Sequence, residues 1–548
     1  MKTVGQLAVD SLVAQGIDRL FCVPGESYLG LLEALNGCDE IDTVVCRHES
    51  GAGFMALADA RMTGRPGVAC VSRGPGACNA AIAVHTAQQD GVPFILFVGQ
   101  VAKDDVRRDS FQEIDYGQMF GRIAKWTAEV TDPNRMAETL LRAFQVATTG
   151  LPGPVVIAVP EDVLTAQVEA ATVQPQARVR GAPDPAALEQ LRGWLAEAER
   201  PLLLAGSGLE NEAGRTALKD MAEAWNLPVL VSFRRQDLFD NAHPLYAGDM
   251  GLSNPASQLE LLRSSDLLVT LGARLSDITS QGYSFPKMVR PEMRLAHVHA
   301  DPDVLGIHFA ADLALASDPV ACARALGQPQ AALPDRRDWL SALAAERAKI
   351  RAVTDKEQPD GVPFARVVEK VGANLTEDAI VTVDAGSFGA PIYRAIPFRP
   401  PQRLLAPISG AMGFGVPAAV AAGLRTPERP VICFVGDGGL LMTGSELAVA
   451  LERELPLKVI VSENNVYGSI LLHQERDYPG HWTGTTFTNP DLETLGKAYG
   501  CAVTRLETLA DLDRLPELIA RPGPQFIVVT SSVQALLAPV RPAAKHEG

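Results

Sequence analysis

The chain has 548 residues, a length that predicts three or four domains. Hydrophobic residues make up 47% of it and charged residues 21%, a composition that excludes a disordered or fibrous protein. Its 49 basic and 65 acidic residues give a net charge of −16, so we expect neither a nucleic-acid partner nor binding to an anionic membrane surface.

The N-terminus and the cysteines favour a cytoplasmic protein. Residues 1–21 mix charges into their apolar positions, and no run of 18 apolar residues occurs elsewhere, so we expect neither a secretion signal nor a membrane span. The eight cysteines are sparse and have no CxxC spacing, which disfavours a disulfide framework and a thiolate zinc site.

Residues 1–171 alternate helical and strand-like segments. A helix-period stretch covers Val4–Ala14, and the short apolar runs are Thr43–Cys46, Gly67–Val71, Phe94–Val98 and Pro154–Val159. This alternation predicts a mostly parallel sheet flanked by helices. The polar stretch Thr172–Pro185, which contains several prolines, predicts a linker after this domain.

The same pattern recurs in residues 186–330 and 360–540, so we predict an α/β protein of three domains. The strand-like runs are Pro201–Gly206, Pro228–Ser232, Asp266–Gly272 and Leu295–Asp301 in the second region, and Ala379–Val383, Val431–Val435, Lys458–Val461 and Gln525–Thr530 in the third. Phe94–Gln100 and Val431–Asp437 both resemble a buried strand that ends in glycine and a polar residue. They suggest that two of the domains have similar folds.

The third region carries a candidate metal-diphosphate site. One predicted strand ends in Gly436, Asp437, Gly438 and Gly439, and the next ends in Glu463, Asn464 and Asn465. The carboxyl ends of parallel strands form ligand sites, and glycines allow backbone N–H groups to approach a diphosphate. Oxygen ligands from Asp and Asn suit Mg²⁺, although a Gly-Asp-Gly sequence alone is also common in simple turns.

The order strand, Gly-Asp-Gly, helix, strand and Asn resembles the signature of thiamine diphosphate (ThDP) enzymes. A match to acetolactate synthases implies that Asp437, Asn464 and the carbonyl of Val466 bind the metal. A register shifted by one residue would use Asn465 and Tyr467 instead, and Glu463 departs from the asparagine that the family usually has.

Residues Ile41–Val101 independently resemble the pyrimidine-binding domain of the acetolactate synthase branch. The likeness includes Arg-His-Glu before Gly-Ala-Gly and a Gly-Pro-Gly-Ala loop. It implies that Glu49 protonates the aminopyrimidine ring of the cofactor, a task that needs a carboxyl group within hydrogen-bond reach of a ring nitrogen. Taken locally, Glu49 is also an acid at a helix start, where the helix dipole alone would favour it.

The segment Ser409–Leu424 is a third match to the family. The resemblance implies that Met412 bends the bound cofactor and that Gly410 and Met412 bind its pyrimidine edge, although a methionine that fills a core gap is the commoner role. In Asp384–Ala390, Ser387 and Phe388 resemble residues that help to hold the diphosphate.

Substrate residues are assigned by resemblance alone. Ser110–Trp126 is similar to the synthase segment in which Phe111, Gln112 and Lys125 would face the active site, while Lys125 could equally be a solvated cation at a helix end. His473 takes the position of a tryptophan in synthases that prefer 2-ketobutyrate as acceptor. His85 and Gln89 would donate protons, or would simply lie on a helix surface.

The resemblance implies an acetolactate synthase-like carboligase that decarboxylates a 2-keto acid and adds the carbanion to a second one. A 2-keto acid decarboxylase, a 2-hydroxyacyl lyase, a non-catalytic ThDP-binding protein and a nicotinamide dehydrogenase are the alternatives, the last suggested by Gly206-Ser207-Gly208. ThDP and Mg²⁺ are the expected cofactors. FAD is possible, because Gly272 and Arg274 match its binding run while the residues after them do not. The family also implies a homodimer or homotetramer whose active site is shared between subunits.

Overall fold

The computed structural model describes residues 1–329, 332–353 and 356–540, and this part of the chain forms three parallel six-stranded sheets. The first sheet has the order β3-β2-β4-β5-β7-β6. Its strands are β2 (Arg19–Cys22), β3 (Asp42–Val45), β4 (Gly67–Val71), β5 (Phe94–Gln100), β6 (Trp126–Glu129) and β7 (Pro154–Pro160). Its helices are α1 (Val4–Ala14), α2 (Leu29–Asn36), α3 (Glu49–Thr63), α4 (Gly74–Asp90), α5 (Tyr116–Phe120), α6 (Met136–Thr148) and α7 (Glu161–Thr165). A short antiparallel ribbon pairs β1 (Lys2–Thr3) with β8 (Gln167–Val168).

The central sheet has the order β11-β10-β9-β12-β13-β14, which is the strand order of doubly wound dinucleotide-binding folds. Its strands are β9 (Pro201–Ala205), β10 (Val229–Ser232), β11 (Tyr246–Met250), β12 (Leu267–Leu271), β13 (Arg294–His299) and β14 (Leu313–Ala316). Its helices are α8 (Pro185–Glu197), α9 (Glu212–Trp225), α10 (Ala256–Arg263), α11 (Pro319–Leu326) and α12 (Arg337–Arg351).

The third sheet has the order β16-β15-β17-β18-β20-β19. Its strands are β15 (Ile380–Val383), β16 (Arg403–Leu405), β17 (Val431–Gly436), β18 (Lys458–Glu463), β19 (Ala502–Leu506) and β20 (Gln525–Thr530). Its helices are α13 (Phe364–Gly372), α14 (Ile392–Ala395), α15 (Gly415–Arg425), α16 (Asp437–Thr443), α17 (Leu447–Glu452), α18 (Gly468–Asp477), α19 (Leu492–Ala498), α20 (Leu515–Ala520) and α21 (Val533–Leu537).

The first and third sheets have the same strand order when each is counted from its own first strand. This confirms that two domains share a fold. The two segments that suggested it are not equivalent, however, because Phe94–Gln100 is the fourth strand of its sheet and Val431–Gly436 is the third of the other.

Most predicted segments coincide with observed elements, with two kinds of difference. Six strands of the three large sheets carried no recognised signal, and all except β2 lie at a sheet edge, where one side has no strand neighbour. These strands are β2, β6, β11, β14, β16 and β19. The predicted linker is one residue too long, because Pro185 begins α8 and the Asp184 carboxylate caps that helix.

The central unit extends beyond the predicted boundary. Residue 330, where that boundary was placed, lies outside the described residues, but α12 follows it and packs on the central sheet. Trp339 of α12 is buried there, and its indole N–H donates to the carbonyl of Pro201 at 2.9 Å. The central unit therefore includes α12.

Helix α3 of the first unit packs directly on α15 of the third. Both helices are rich in glycine and alanine, so their backbones approach closely, and Phe54 meets Phe414 edge to face with ring centroids 5.6 Å apart. The Arg425 guanidinium reaches back to the Asp59 carboxylate at 2.8 Å. The apolar residues around these two helices thus form one core that is continuous between the two units.

A buried charge network joins all three units at the C-terminal end of α3. The Arg61 guanidinium lies 2.7 Å from the Glu210 carboxylate of the central unit and also donates to the carbonyls of Leu404 and Ala406. Arg403, the first residue of β16, pairs with Asp237 of the central unit at 3.1 Å. Because these charges are removed from water, each depends on its partner to remain buried.

Removing one charge should therefore loosen the junction. We predict that Arg61→Ala lowers the unfolding free energy by about 3–5 kcal/mol, because it leaves Glu210 buried with fewer cations around it. The control is Arg135→Ala, whose exposed pair with Glu138 at 2.6 Å should contribute less than about 1 kcal/mol. Urea midpoints measure both variants, and equal shifts would contradict the assignment.

Candidate active site

Glu49 begins α3, and its carboxylate lies against the start of α4. His48 caps the helix by accepting the Ser50 N–H on its ring, and the Asn79 amide donates to Glu49 Oε2 at 2.9 Å. A Cβ built at Gly76 would lie 3.4 Å from Glu49 Oε1, so the Gly-Pro-Gly turn leaves room beside this oxygen. Glu49 is half-buried, with one oxygen paired and the other close to a backbone turn.

A buried carboxylate from the third unit supports the start of α3. Glu446 accepts the backbone N–H groups of Arg47 and His48 at 3.1 and 2.9 Å. A Cβ built at Gly51 would lie 2.2 Å from Glu446 Oε1, so this position requires glycine. Burial raises the pKa of Glu446 to about 7, against the lowering effect of the two N–H donors.

Asp437 lies at the junction of β17 and α16, as predicted. Its Oδ1 accepts the N–H of Gly438 at 2.8 Å, and its Oδ2 accepts those of Asn464 and Asn465 at 2.9 and 2.7 Å. The Gly-Asp-Gly turn and the Glu-Asn-Asn loop therefore meet at one carboxylate. Two parallel strands, β17 and β18, bring them together at their carboxyl ends.

The hydrogen bonds of the loop after β18 bear on the choice between Asn464 and Asn465 as the metal ligand. The Tyr467 carbonyl accepts the N–H groups of Ile470 and Leu471 at the start of α18, and the Asn465 carbonyl accepts the Phe487 N–H. Within the described chain, no hydrogen bond reaches the Val466 carbonyl. The shifted register needs the Tyr467 carbonyl as a metal ligand, and this carbonyl already accepts two hydrogen bonds. The Asn464 register needs the Val466 carbonyl, which accepts none within the described chain.

Glu463, which stands where the family usually has an asparagine, forms an ion pair with Arg505. Its carboxylate lies 2.5 Å from Arg505 Nη1, and Arg505 also pairs with Glu493. The two carboxylates raise the pKa of the guanidinium against the effect of burial. The negative charge of Glu463 is thus balanced by Arg505 of β19.

The segment from Pro407 to Gly415, which carries Gly410 and Met412, is held by side chains from all three units. The Asp384 carboxylate accepts the N–H groups of Gly413 and Gly415 at 2.9 Å each. Asp90 of α4 accepts those of Ile408 and Ser409 at 3.0 and 2.9 Å. Arg234 of the central unit donates to the Pro407 carbonyl.

Asp384 is the most enclosed of these groups. Burial raises its pKa to about 6, although three backbone N–H donors oppose the rise. A Cβ built at Gly439 would lie 3.0 Å from its Cγ, so Asp384 also fills the space below the Gly-Asp-Gly helix.

Met412, Ser387 and Phe388 all lie against the glycine-rich turns. A Cβ built at Gly438 would lie 3.5 Å from Met412 Cε, and one at Gly436 would lie 3.1 Å from the Phe388 ring. Ser387 Oγ would be 2.5 Å from a Cβ at Gly468, the first residue of α18. The structure therefore places Met412 beside Gly438, Phe388 beside Gly436 and Ser387 beside Gly468.

The predicted substrate residues do not all gather at one place. Gln112 has a positive φ of 63°, and its carbonyl accepts the Gly74 N–H at 2.9 Å, which places its loop beside the turn near Glu49. Phe111 is 74% exposed next to it. His85 is half-buried on α4, and His473 is exposed on α18 in the third unit.

Lys125 is a correction to the sequence prediction. It precedes β6 at the amino-terminal edge of the sheet, opposite to the edge where Glu49 lies. Its ammonium donates to the carbonyls of Thr149 and Leu151 at 2.7 and 2.8 Å. Lys125 therefore fixes the loop before β7 and does not join Glu49 in this chain.

Arg274, one of the two residues that match a flavin-binding run, lines a cavity at the junction of the three units. The cavity has a volume of about 220 Å³. Arg274 donates to the carbonyl of Gln89, and burial lowers the pKa of its guanidinium.

Several residues at the site carried no recognised signal in the sequence. Asp384 and Asn79 occur inside the matched motifs, but nothing local marked them as contacts. Glu446 and Asn489 reach the site across long stretches of chain, and only the fold brings them there.

Comparisons with known proteins agree with this geometry. Family models for thiamine pyrophosphate (ThDP) enzymes match the N-terminal ThDP-binding domain at residues 2–119, the central domain at 188–326 and the C-terminal ThDP-binding domain at 384–529. The chain is 31% identical to the acetolactate synthase isozyme 1 large subunit of Escherichia coli over 547 residues, which covers 98% of this chain and 96% of that protein.

The chain belongs to the acetolactate synthase-like branch of the ThDP enzyme family. Large subunits from Parasynechococcus marenigrum and Lactococcus lactis are 30% and 28% identical, over 95% and 99% of this chain and 86% and 94% of theirs. The first and third units are therefore the two ThDP-binding domains of the family. Among the described residues, no helix is both long and apolar enough to cross a membrane.

The pKa of Glu446 gives a testable pH dependence. Because burial raises this pKa from 4.5 to about 7, the carboxyl group favours folding below pH 4.5 and loses that contribution as the pH rises through 7. Between pH 5 and 8, wild-type protein should lose roughly 3 kcal/mol of stability relative to Glu446→Gln. Urea midpoints of both proteins across this range provide the measurement, and a constant difference between them would contradict the assignment.

Proposed function

We propose that this chain is a ThDP-dependent carboligase that decarboxylates a 2-keto acid such as pyruvate and joins the two-carbon unit to a second 2-keto acid. The observation that carries the proposal is the likeness to acetolactate synthase large subunits over nearly the full chain. The two half-sites support it, since Glu49 lies in one ThDP-binding domain and Asp437 in the other.

When bound, ThDP supplies an electron sink for the carbon that loses CO₂. Glu49 would give its proton to the pyrimidine ring nitrogen, and the Asn79 hydrogen bond to Oε2 leaves Oε1 for that contact. Gly410 and Met412 would bind the pyrimidine edge, and Met412 would press on the cofactor from its position beside Gly438.

The donor atoms at β17 and β18 fit a magnesium diphosphate. We assign Asp437, Asn464 and the Val466 carbonyl as metal ligands, because Mg²⁺ prefers oxygen and this carbonyl is unoccupied. Glycines 436, 438 and 439, with Ser387 and Phe388, would border the diphosphate, where the start of α16 presents backbone N–H groups.

Gln112, His85 and Phe111 would bind and protonate substrate on the Glu49 side, and His473 would border the acceptor pocket from α18. These assignments rest on the family match and on the position of the Gln112 loop beside Gly74. The exposed Phe111 ring would exclude water once substrate is bound.

We also propose that the active site is shared between two copies of the chain. Glu49 is hydrogen-bonded within the first unit and Asp437 within the third. Exposed apolar side chains lie beside both half-sites, namely Ile82 on α4 and Leu441 and Met442 on α16. A second copy that covers them would bring Glu49 to the cofactor held by its partner, so a homodimer is the smallest active unit.

The cavity beside Arg274 is small for a cofactor of the size of FAD. Ligands of drug size or larger occupy pockets of about 300–1,000 Å³, and this cavity measures about 220 Å³. Arg274, which matches the flavin-binding run, is engaged with Gln89. We therefore propose that the reaction does not depend on FAD.

The domain limits that we propose are 1–171, 186–351 and 360–540, each of which contains one of the three sheets. We further propose a cytoplasmic location, which is supported by the eight cysteines, all of them free thiols.

Product analysis tests the proposed reaction. Protein supplied with ThDP, Mg²⁺ and pyruvate, without FAD, should form acetolactate, and mass spectrometry should detect it. Acetaldehyde as the only product would identify a decarboxylase, and no consumption of pyruvate would overturn the substrate assignment.

Glu49→Gln should lower kcat by about 10²- to 10⁴-fold, because the amide cannot supply the proton to the ring nitrogen. The matched control is Glu33→Gln on the exposed face of α2, which should retain wild-type activity. Equal activities of the two variants would remove Glu49 from the reaction.

A further inference from the structure

The segment Thr485–Asn489, which precedes α19, lies over the Asn464–Asn465 loop. The Thr485 carbonyl accepts the Tyr467 N–H at 2.8 Å, and the Phe487 N–H donates to the Asn465 carbonyl at 3.0 Å. The rings of Tyr467 and Phe487 pack with centroids 4.9 Å apart. The segment therefore forms a second layer over the loop that carries the proposed metal ligands.

Asn489 contacts both halves of that metal site. Its side-chain N–H donates to Asp437 Oδ2 at 2.8 Å, and its backbone N–H donates to Asn465 Oδ1 at 3.2 Å. Together with the N–H groups of Asn464 and Asn465, it gives Asp437 Oδ2 three donors, whereas Oδ1 has one, from Gly438. Oδ1 is thus the oxygen with accepting capacity left for a cation.

The other side-chain atom of Asn489 is also informative. Its Oδ1 is buried and has no hydrogen-bond partner in the described structure. Buried acceptors are nearly always paired, so this oxygen marks a place where a donor is missing. Octahedral Mg²⁺ with three protein ligands and a diphosphate keeps at most one or two water ligands, and a bound water is a hydrogen-bond donor.

We propose that Asn489 is a positioning residue for the metal: its side-chain N–H holds Asp437 by Oδ2, and its Oδ1 accepts a hydrogen bond from a water ligand of the cation. This inference rests on the proposed function, because it takes Asp437 as a metal ligand. It adds a contact that the strand-end motifs do not contain, 52 residues after Asp437 in the sequence.

The test compares Asn489→Ala with the wild type and with Asn374→Ala. Asn374 is a matched control, because its amide also donates one hydrogen bond, to the Lys370 carbonyl, but lies away from the site. Binding of Mn²⁺ to ThDP-saturated protein is followed by the loss of the free-ion signal in electron paramagnetic resonance, and activation by Mg²⁺ is measured in parallel.

Asn489→Ala should weaken Mn²⁺ binding and raise the Mg²⁺ concentration for half-maximal activity by about 10- to 100-fold, as is usual when a group behind a metal ligand is removed. At saturating Mg²⁺ its kcat should return close to the wild-type value. Asn374→Ala should leave both constants unchanged. Asn489→Ser makes a smaller change and should shift both constants in the same direction if the alanine variant does not fold.

Two results would overturn the inference. One is a metal constant within 2-fold of the wild type, and the other is a lower kcat and a lower unfolding temperature with unchanged metal binding, which would indicate a purely structural role. Absence of metal binding in the wild-type protein with ThDP would instead count against the proposed function itself.

Discussion

The close packing of α3 on α15 determines where the two parts of the active site lie. Because these helices are lined by glycine and alanine, their backbones touch, and the first and third units share one core. Glu49 stands at the first residue of α3, so its position relative to the third unit is fixed by this contact. The charge network at Arg61 then fixes the other end of the same helix against the central unit and β16.

Buried carboxylates that accept backbone N–H groups hold each loop of the site. Glu446 holds the start of α3, Asp384 holds Gly413 and Gly415, and Asp437 joins the two strand-end loops. Such bonds orient a loop while leaving its other polar groups available for a ligand. The loops of the candidate site are thus held by hydrogen bonds within the protein itself.

The sequence alone predicts those strands and turns whose signal lies in neighbouring residues. Buried strands such as Gly67–Val71 and the glycine turn at Asp437 follow from apolar runs and turn residues, and the structure contains both. The choice between Asn464 and Asn465 cannot be made locally, and our proposal of Asn464 relies on the use of the Tyr467 carbonyl by α18. Contacts such as that of Glu446 with His48 span almost 400 residues, so no periodicity or spacing marks them. Lys125 was misplaced because the motif gives its neighbours in sequence but not the edge of the sheet at which β6 begins.

Mixing two inactive variants tests the central claim that one active site uses two copies of the chain. Glu49→Gln and Asp437→Ala chains are unfolded, mixed in equal amounts and refolded together with ThDP and Mg²⁺. If Glu49 acts on the partner's cofactor, half of the dimers are mixed, each has one intact site, and about a quarter of the wild-type activity returns. If Glu49 and Asp437 of one chain serve the same site, every site contains one defect, the mixture stays inactive, and the account is contradicted.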